Sequence, residues 1–163
     1  GQGMTVLQLA EDIRSGMSWE ELTERRVPDL LGRVYPFFSV DTLEYLKKGG
    51  RIGKVTAAAG TLLRIKPILT FASDGQLQSA AKVRGRGQVI DKLVELVKAA
   101  CGEHKRYSLA VVNGGDPEGM ALLRERLTAA LPDYELVREG EIDATLSVYI
   151  GDGVLGAVVQ VLD

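Results

Sequence analysis

Apolar residues recur at helical intervals through the first part of this chain and then at strand-like spacing. In "MTVLQLAEDIRSGM", Val6, Leu9, Ala10, Ile13 and Met17 keep the spacing of one helix face, which predicts a helix. "SWEE" follows, with Ser18 and Glu21 placed as a capping box that opens a second helix ending near Pro28 or Gly32. The pattern changes at Arg33. "RVYPFFSV" is β-rich, and "DTLEYLKK" reads as a short helix with Asp41 or Thr42 as its cap. "VTAAAGTLLR" reads as a helix of small residues that a neighbouring element can approach closely.

"IKPILTF", "SDGQ" and "LQSAAKVR" predict strand, turn and strand, a hairpin hinged at Asp74–Gly75. "QVIDKLVELVKAAC" is amphipathic at helical period. "YSLAVVN" is a strand running into "GGDPEG", where Asp116 is placed to cap a helix and Pro117 to start it. "GMALLRERLTAAL" is that helix. "YELVREGEI" and "ATLSVYIGDGVLGAVVQVL" supply the remaining β content, the latter as two strands broken at Gly151–Gly153. Strands alternate with helices, yet neighbouring strands are also hairpin-linked. The expected class is therefore α/β with α+β character, a mixed or antiparallel sheet packed with helices. Residues 1–32 form a helical segment ahead of an α/β domain at 33–163. That segment has few apolar residues for a core of its own and starts at "GQG" without Met. The expectation is a C-terminal piece of a longer protein.

Composition narrows the function classes. The chain has 163 residues, 45% of them hydrophobic, and a net charge of −2. That balance points away from nucleic acid. Charge is nonetheless uneven: Asp41 to Lys92 holds ten Lys or Arg against four Asp or Glu. A basic centre in an acidic frame suits a local anion site or a partner surface. One Cys (Cys101) and one His (His104) leave little material for a metal site or a Cys–His dyad, and no metal or other cofactor is expected. No stretch has the length of a membrane span and no signal peptide is visible, so the expected location is cytoplasmic, without stable membrane insertion.

Three stretches could carry binding chemistry. "KKGGRIGK" (residues 47–54) puts three glycines and four cations into eight positions. A helix stop, with Gly49 as its terminal glycine, accounts for Gly49, Lys47 and Lys48 but leaves Gly50, Arg51 and Gly53 without a role. "KVRGRG" places Lys82, Arg84 and Arg86 just before a helix, where cations serve the helix dipole poorly. This points to an external use such as docking an acidic partner. "IGDGVLG" reads first as a turn or bulge. No Ser/His/Asp set or acidic pair stands out, and the residues favour a binding module over an enzyme.

Taken together, "VDTLEYLKKGGRIGK", "AAAGTLLRIKPILTF", "KVRGRGQVIDKLVELV" and "VYIGDGVLGAVV" resemble, in order and approximate spacing, the DegV family of bacterial fatty-acid-binding proteins. The resemblance implies a two-domain protein holding one long-chain fatty acid between its domains, and in some members presenting it to a kinase that phosphorylates the carboxylate. It implies that Arg51 lies near the acyl carboxylate, with Ile52, Tyr149, Gly151 and Gly153 as further ligand-binding positions. The chemistry agrees, because a guanidinium stays ionised and pairs with a carboxylate in a bidentate fork. Two departures stand out. The family's first domain, with the hydroxyl residues that bond the carboxylate, has no counterpart here. Tyr149 stands where members often carry histidine, so a phenol donor replaces an imidazolium. Implied partners are a fatty acid, an N-terminal domain of the same protein and a fatty acid kinase. The alternative functions are a small-anion enzyme subunit and a protein-interaction module using residues 82–86.

Overall fold

The computed structural model describes residues 1–55 and 65–163. The small-residue helix expected over 55–64 falls, apart from Val55, outside the described residues. The final strand, β6 (Val154–Val161), is apolar at seven of eight positions and buried at all eight. A strand with that pattern needs cover on both faces and a partner on both edges. It has both partners. β1 (Val34–Ser39) runs antiparallel on one side and β4 (Tyr107–Gly114) antiparallel on the other. β2 (Ile65–Phe71) and β3 (Leu77–Arg84) extend the β1 side as the expected hairpin, and β5 (Leu136–Glu141) joins β4 in parallel. The order is β3-β2-β1-β6-β4-β5, a six-stranded mixed sheet among the described residues.

The turn between β2 and β3 follows its chemistry. Gly75 adopts φ +80°, and the Asp74 carboxylate accepts the Gln76 N–H at 3.1 Å. A bulge between Ile68 and Leu69 shifts the register of this pair midway.

One face of the sheet packs under two helices, α5 (Gly87–Cys101) and α6 (Pro117–Ala130). Val89, Leu93, Val97 and Cys101 recur every fourth residue on α5 and pack, with Leu123 and Leu127 of α6, on Leu155, Ala157, Val159 and Val161 of β6. Burial raises the Cys101 thiol above its usual pKa, so it is a core residue with little thiolate. Asp116 caps α6 as its sequence indicates, accepting the Gly119 N–H at 2.9 Å with Pro117 in the first turn.

Val154, Gly156, Val158 and Gln160 of β6 point to the opposite face, and different elements cover its two ends. At the Gln160 end lies α1 (Gln2–Arg14), where the buried Gln160 amide donates to the Thr5 hydroxyl at 3.1 Å. A second helical run follows: α2 (Trp19–Glu21) passes through a π-turn at Leu22–Arg26 into α3 (Val27–Gly32). Ser18 opens it by accepting the Glu21 N–H at 3.2 Å. Arg26 ties it to α1 through Asp12 at 2.7 Å, both side chains largely buried. α1 packs through Met4, Thr5 and Asp12, while Val6 and Ile13 of its apolar stripe are 57% and 55% exposed. The stripe that defines this helix in the sequence is therefore not the face it buries.

At the Val154 end sit α4 (Glu44–Lys48) and α7 (Ala144–Ile150), around Val40, Leu46, Leu69, Ile150 and Val154. Here the sequence expectation needs correcting. "ATLSVYI" is a helix, not a strand. Asp143 caps it by accepting the Leu146 N–H at 2.9 Å, and this local bond outweighs the β preference of its residues.

Loops from four connections meet at this end of the sheet around Arg86. Its guanidinium donates to the Gly153 carbonyl at 2.7 Å, to Asp41 at 3.1 Å, and to Asp116. Lys66 also reaches Asp41, at 2.9 Å. Arg86, expected to dock a partner, is engaged inside the chain. The Arg86 hydrogen bond holds the Asp116 carboxyl below its ordinary pKa. A carboxylate depressed this way stabilises the fold above its unfolded pKa, and the contribution disappears as pH falls through the folded pKa. Partial exposure limits it to about 1 kcal/mol. In urea unfolding between pH 7 and pH 3, Asp116→Asn should be less stable than the parent at pH 7, and the gap should close toward pH 3. A constant gap across that range would show that the pair carries no pH-dependent stability.

Candidate functional site

Between the two covered ends, the second face of the sheet is an open groove of about 760 Å³. Its floor follows β6 through Val154, Gly156 and Val158, flanked by Phe38 and Pro36 of β1 and Val112 of β4. The rim includes Phe71 and Leu146, 48% and 49% exposed. Large apolar side chains half open to water along one trough give a surface suited to an apolar ligand. Among the described lining residues the charged side chains are Arg51 and Glu141.

Arg51 reaches this lip through the three glycines around it. α4 ends in a Schellman turn: the Gly50 N–H bonds the Lys47 carbonyl at 3.2 Å and the Arg51 N–H bonds the Leu46 carbonyl at 2.8 Å. The left-handed residue is Gly50, at φ +68°, one position later than the helix-stop reading placed it. Gly49 has a different task. A Cβ there would lie 2.6 Å from Cδ1 of Tyr149, so the missing side chain makes room for the ring of α7. Gly53 sits against the Leu77 backbone at the start of β3.

Arg51 then folds back over that ring. Its Cζ stands 4.7 Å from the Tyr149 centroid, and Nη1 donates to the Gly49 carbonyl at 2.7 Å. Such a cation–π contact contributes about 0.5–1 kcal/mol at an exposed site. The lip thus carries a guanidinium stacked on a phenol ring at the edge of an apolar trough. That combination suits an amphiphile with an anionic head and an apolar tail.

The structure brings Arg51 and Tyr149 together and separates them from the other candidates. Ile52 packs with the small core around Leu46 and is not part of the groove lining. Gly151 ends α7 against the Tyr45 ring, and Gly153 offers its carbonyl to Arg86. Neither lines the groove. Lys82 and Arg84 lie exposed on β3, the edge strand, with no ion pair among the described residues. Sequence reasoning missed Gly156, Phe38, Val112 and Leu146. Gly156 belongs to the glycine series of "IGDGVLG", and its position inside an apolar strand was the available signal.

The family model described as "Uncharacterised protein, DegV family" matches residues 1–161. A DegV domain-containing protein of Clostridium acetobutylicum is 33% identical over 159 residues, covering 98% of this chain and 56% of its own. Protein DegV of Bacillus subtilis is 30% identical, over 95% of this chain and 54% of its own. Among solved structures, one titled as fatty acid binding of a DegV family protein from Thermus thermophilus superposes with a TM-score of 0.89. It is 32% identical, over 98% of this chain and 56% of that one. The structure titled DegV, a fatty acid binding protein from Bacillus subtilis, gives 0.82 at 29% identity, over 99% of this chain and 56% of that one. The chain belongs to the DegV family, and it spans little more than half the length of these relatives.

Gly49→Ala tests the construction of the lip. The added methyl should displace the Tyr149 ring at a cost of about 1–3 kcal/mol, the usual penalty for overpacking. NMR of the Arg51 side chain should show ring-current shifts in the parent that are lost in Gly49→Ala and in Tyr149→Leu. Unchanged shifts in both variants would mean that the stack does not persist in solution.

Proposed function

We propose that this DegV-family chain forms one wall of a fatty-acid-binding site, with the acyl chain lying in the groove and the carboxylate at Arg51 and Tyr149. The observation that carries this reading is the apolar trough on the sheet face with a guanidinium–phenol pair at its lip. It is supported by two solved relatives at 32% and 29% identity whose titles describe fatty acid binding. In this reading a further domain of the same protein covers the open side of the groove. The protein acts as a carrier, sequestering the tail from water and holding the head group at the surface, without chemistry of its own. A partner kinase that phosphorylates the bound carboxylate would act at that lip.

The driving forces divide along the groove. Tail burial contributes about 0.8 kcal/mol per CH₂ taken out of water, so affinity comes mainly from the trough. The lip sets orientation. A carboxylate accepting from Arg51 gains a charge-assisted bond worth about 1.5–3 kcal/mol, and a phenol bond from Tyr149 about 0.5–1.5 kcal/mol. Lys82 and Arg84, exposed on an edge strand at positions i and i+2, offer an acidic partner one cationic face.

Titrating the two-domain protein with a long-chain fatty acid tests the head-group assignment. Arg51→Ala should weaken binding at least about tenfold, which corresponds to 1.4 kcal/mol, and Tyr149→Phe by less. Tyr149→His should retain binding. Affinity in a folded Arg51→Ala variant equal to the parent's would remove the carboxylate from this lip. The docking surface is checked separately with Lys82→Glu combined with Arg84→Glu. This pair should weaken partner binding and leave fatty-acid affinity within twofold, and the reverse pattern would move both residues into the pocket.

A further inference from the structure

We infer that Gly156 is a specificity residue: by leaving the middle of the groove floor without a side chain, it sets how long an acyl chain the site accepts. The inference rests on the reading of the groove as a fatty-acid site and concerns what that site selects. Glycine inside a central strand weakens the sheet, because it adds backbone freedom and removes a packing group. Here it interrupts a strand buried at all eight positions, with Leu155 and Ala157 on either side. In register, Gly156 lies between Phe38 of β1 and Val112 of β4, and all three line the groove. A Cβ at 156 would stand 2.8 Å from Cγ2 of Val112 and 3.2 Å from Cβ of Phe38. A side chain at 156 would therefore have to push Val112 and Phe38 apart, and it would raise the groove floor at its centre.

The floor has a direction. Val154 belongs to the small core on which Tyr149 packs, so that end carries the Arg51 lip. Val158, paired with Pro36, lies two residues beyond Gly156, an advance of about 6.8 Å along the strand. The next residue on this face, Gln160, is already covered by α1 through Thr5. A tail anchored at Arg51 thus crosses Gly156 first and Val158 second, and α1 closes the far end. Short tails end before the centre. Long ones need the gap.

The test is a length series, from hexanoate to stearate, titrated into the two-domain protein. Affinity of the parent should rise with length. In Gly156→Ala the rise should stop at an intermediate length, with stearate weakened about tenfold or more and the shortest binding acids within about twofold of the parent. Val158→Phe should show the same break at a greater length. Because alanine at 156 meets Val112, the double variant Val112→Ala with Gly156→Ala relieves that contact and should keep the break if the fold is intact. Uniform weakening at every length, or stearate affinity equal to the parent's in the folded double variant and in Val158→Phe, would overturn the role of Gly156. A parent that binds no acid of the series would instead overturn the reading of the groove, with the ruler falling alongside it.

Discussion

The arrangement of this protein depends on one strand that must be buried on both faces. β6 is hydrogen-bonded on both edges and lies inside the strand order, so β1 and β4 are placed by pairing with it and the helices by how they cover those eight residues. Helices α5 and α6 cover one face completely, with a continuous core. Among the described residues, the second face is covered at its two ends, by α1 at Gln160 and by the small core around Val154. The groove is what remains between them. Its apolar floor follows from the strand's own composition, since a strand apolar on both faces leaves an apolar trough wherever cover is missing.

The lip is built from short-range rules acting over a long sequence separation. Gly50 ends α4 in the left-handed conformation, which turns the chain so that Arg51 emerges beside the groove. Gly49 gives up its side chain to the Tyr149 ring. Asp143 makes α7 a helix and so delivers that ring. Arg86 fastens the loops behind, joining Asp41 before α4, Asp116 before α6 and Gly153 after α7. Each device is local. Their convergence is tertiary.

That division explains how much could be read in advance. The hairpin at Asp74–Gly75, the Asp116 cap and the amphipathic α5 were legible because turn chemistry and a 3.6-residue period are local signals. The mixed sheet followed from hairpins mixed with crossovers. Helix α7 was not legible, because "TLSVYI" has strand-like composition and only its Asp cap argues otherwise. The outward stripe of α1 was also hidden, since periodicity marks an apolar face without saying what it meets. Arg86 looked like a surface cation because Asp41 and Asp116 lie 45 and 30 residues away. The Arg51–Tyr149 pair came from family resemblance, and the groove floor came only from the strand register.

Arg51 is held by groups of the chain itself. Its guanidinium stacks on Tyr149 and uses one donor on the Gly49 carbonyl, leaving further N–H groups of the fork for other acceptors. An exposed arginine normally samples many rotamers, and ordering such a side chain on association costs about 0.5–1.5 kcal/mol. The Tyr149 stack and the Gly49 bond favour one of those rotamers. If the lip takes a carboxylate as proposed, the guanidinium would meet it in an orientation set by the chain, and discrimination between head groups would rest on the angle of the fork as well as on charge.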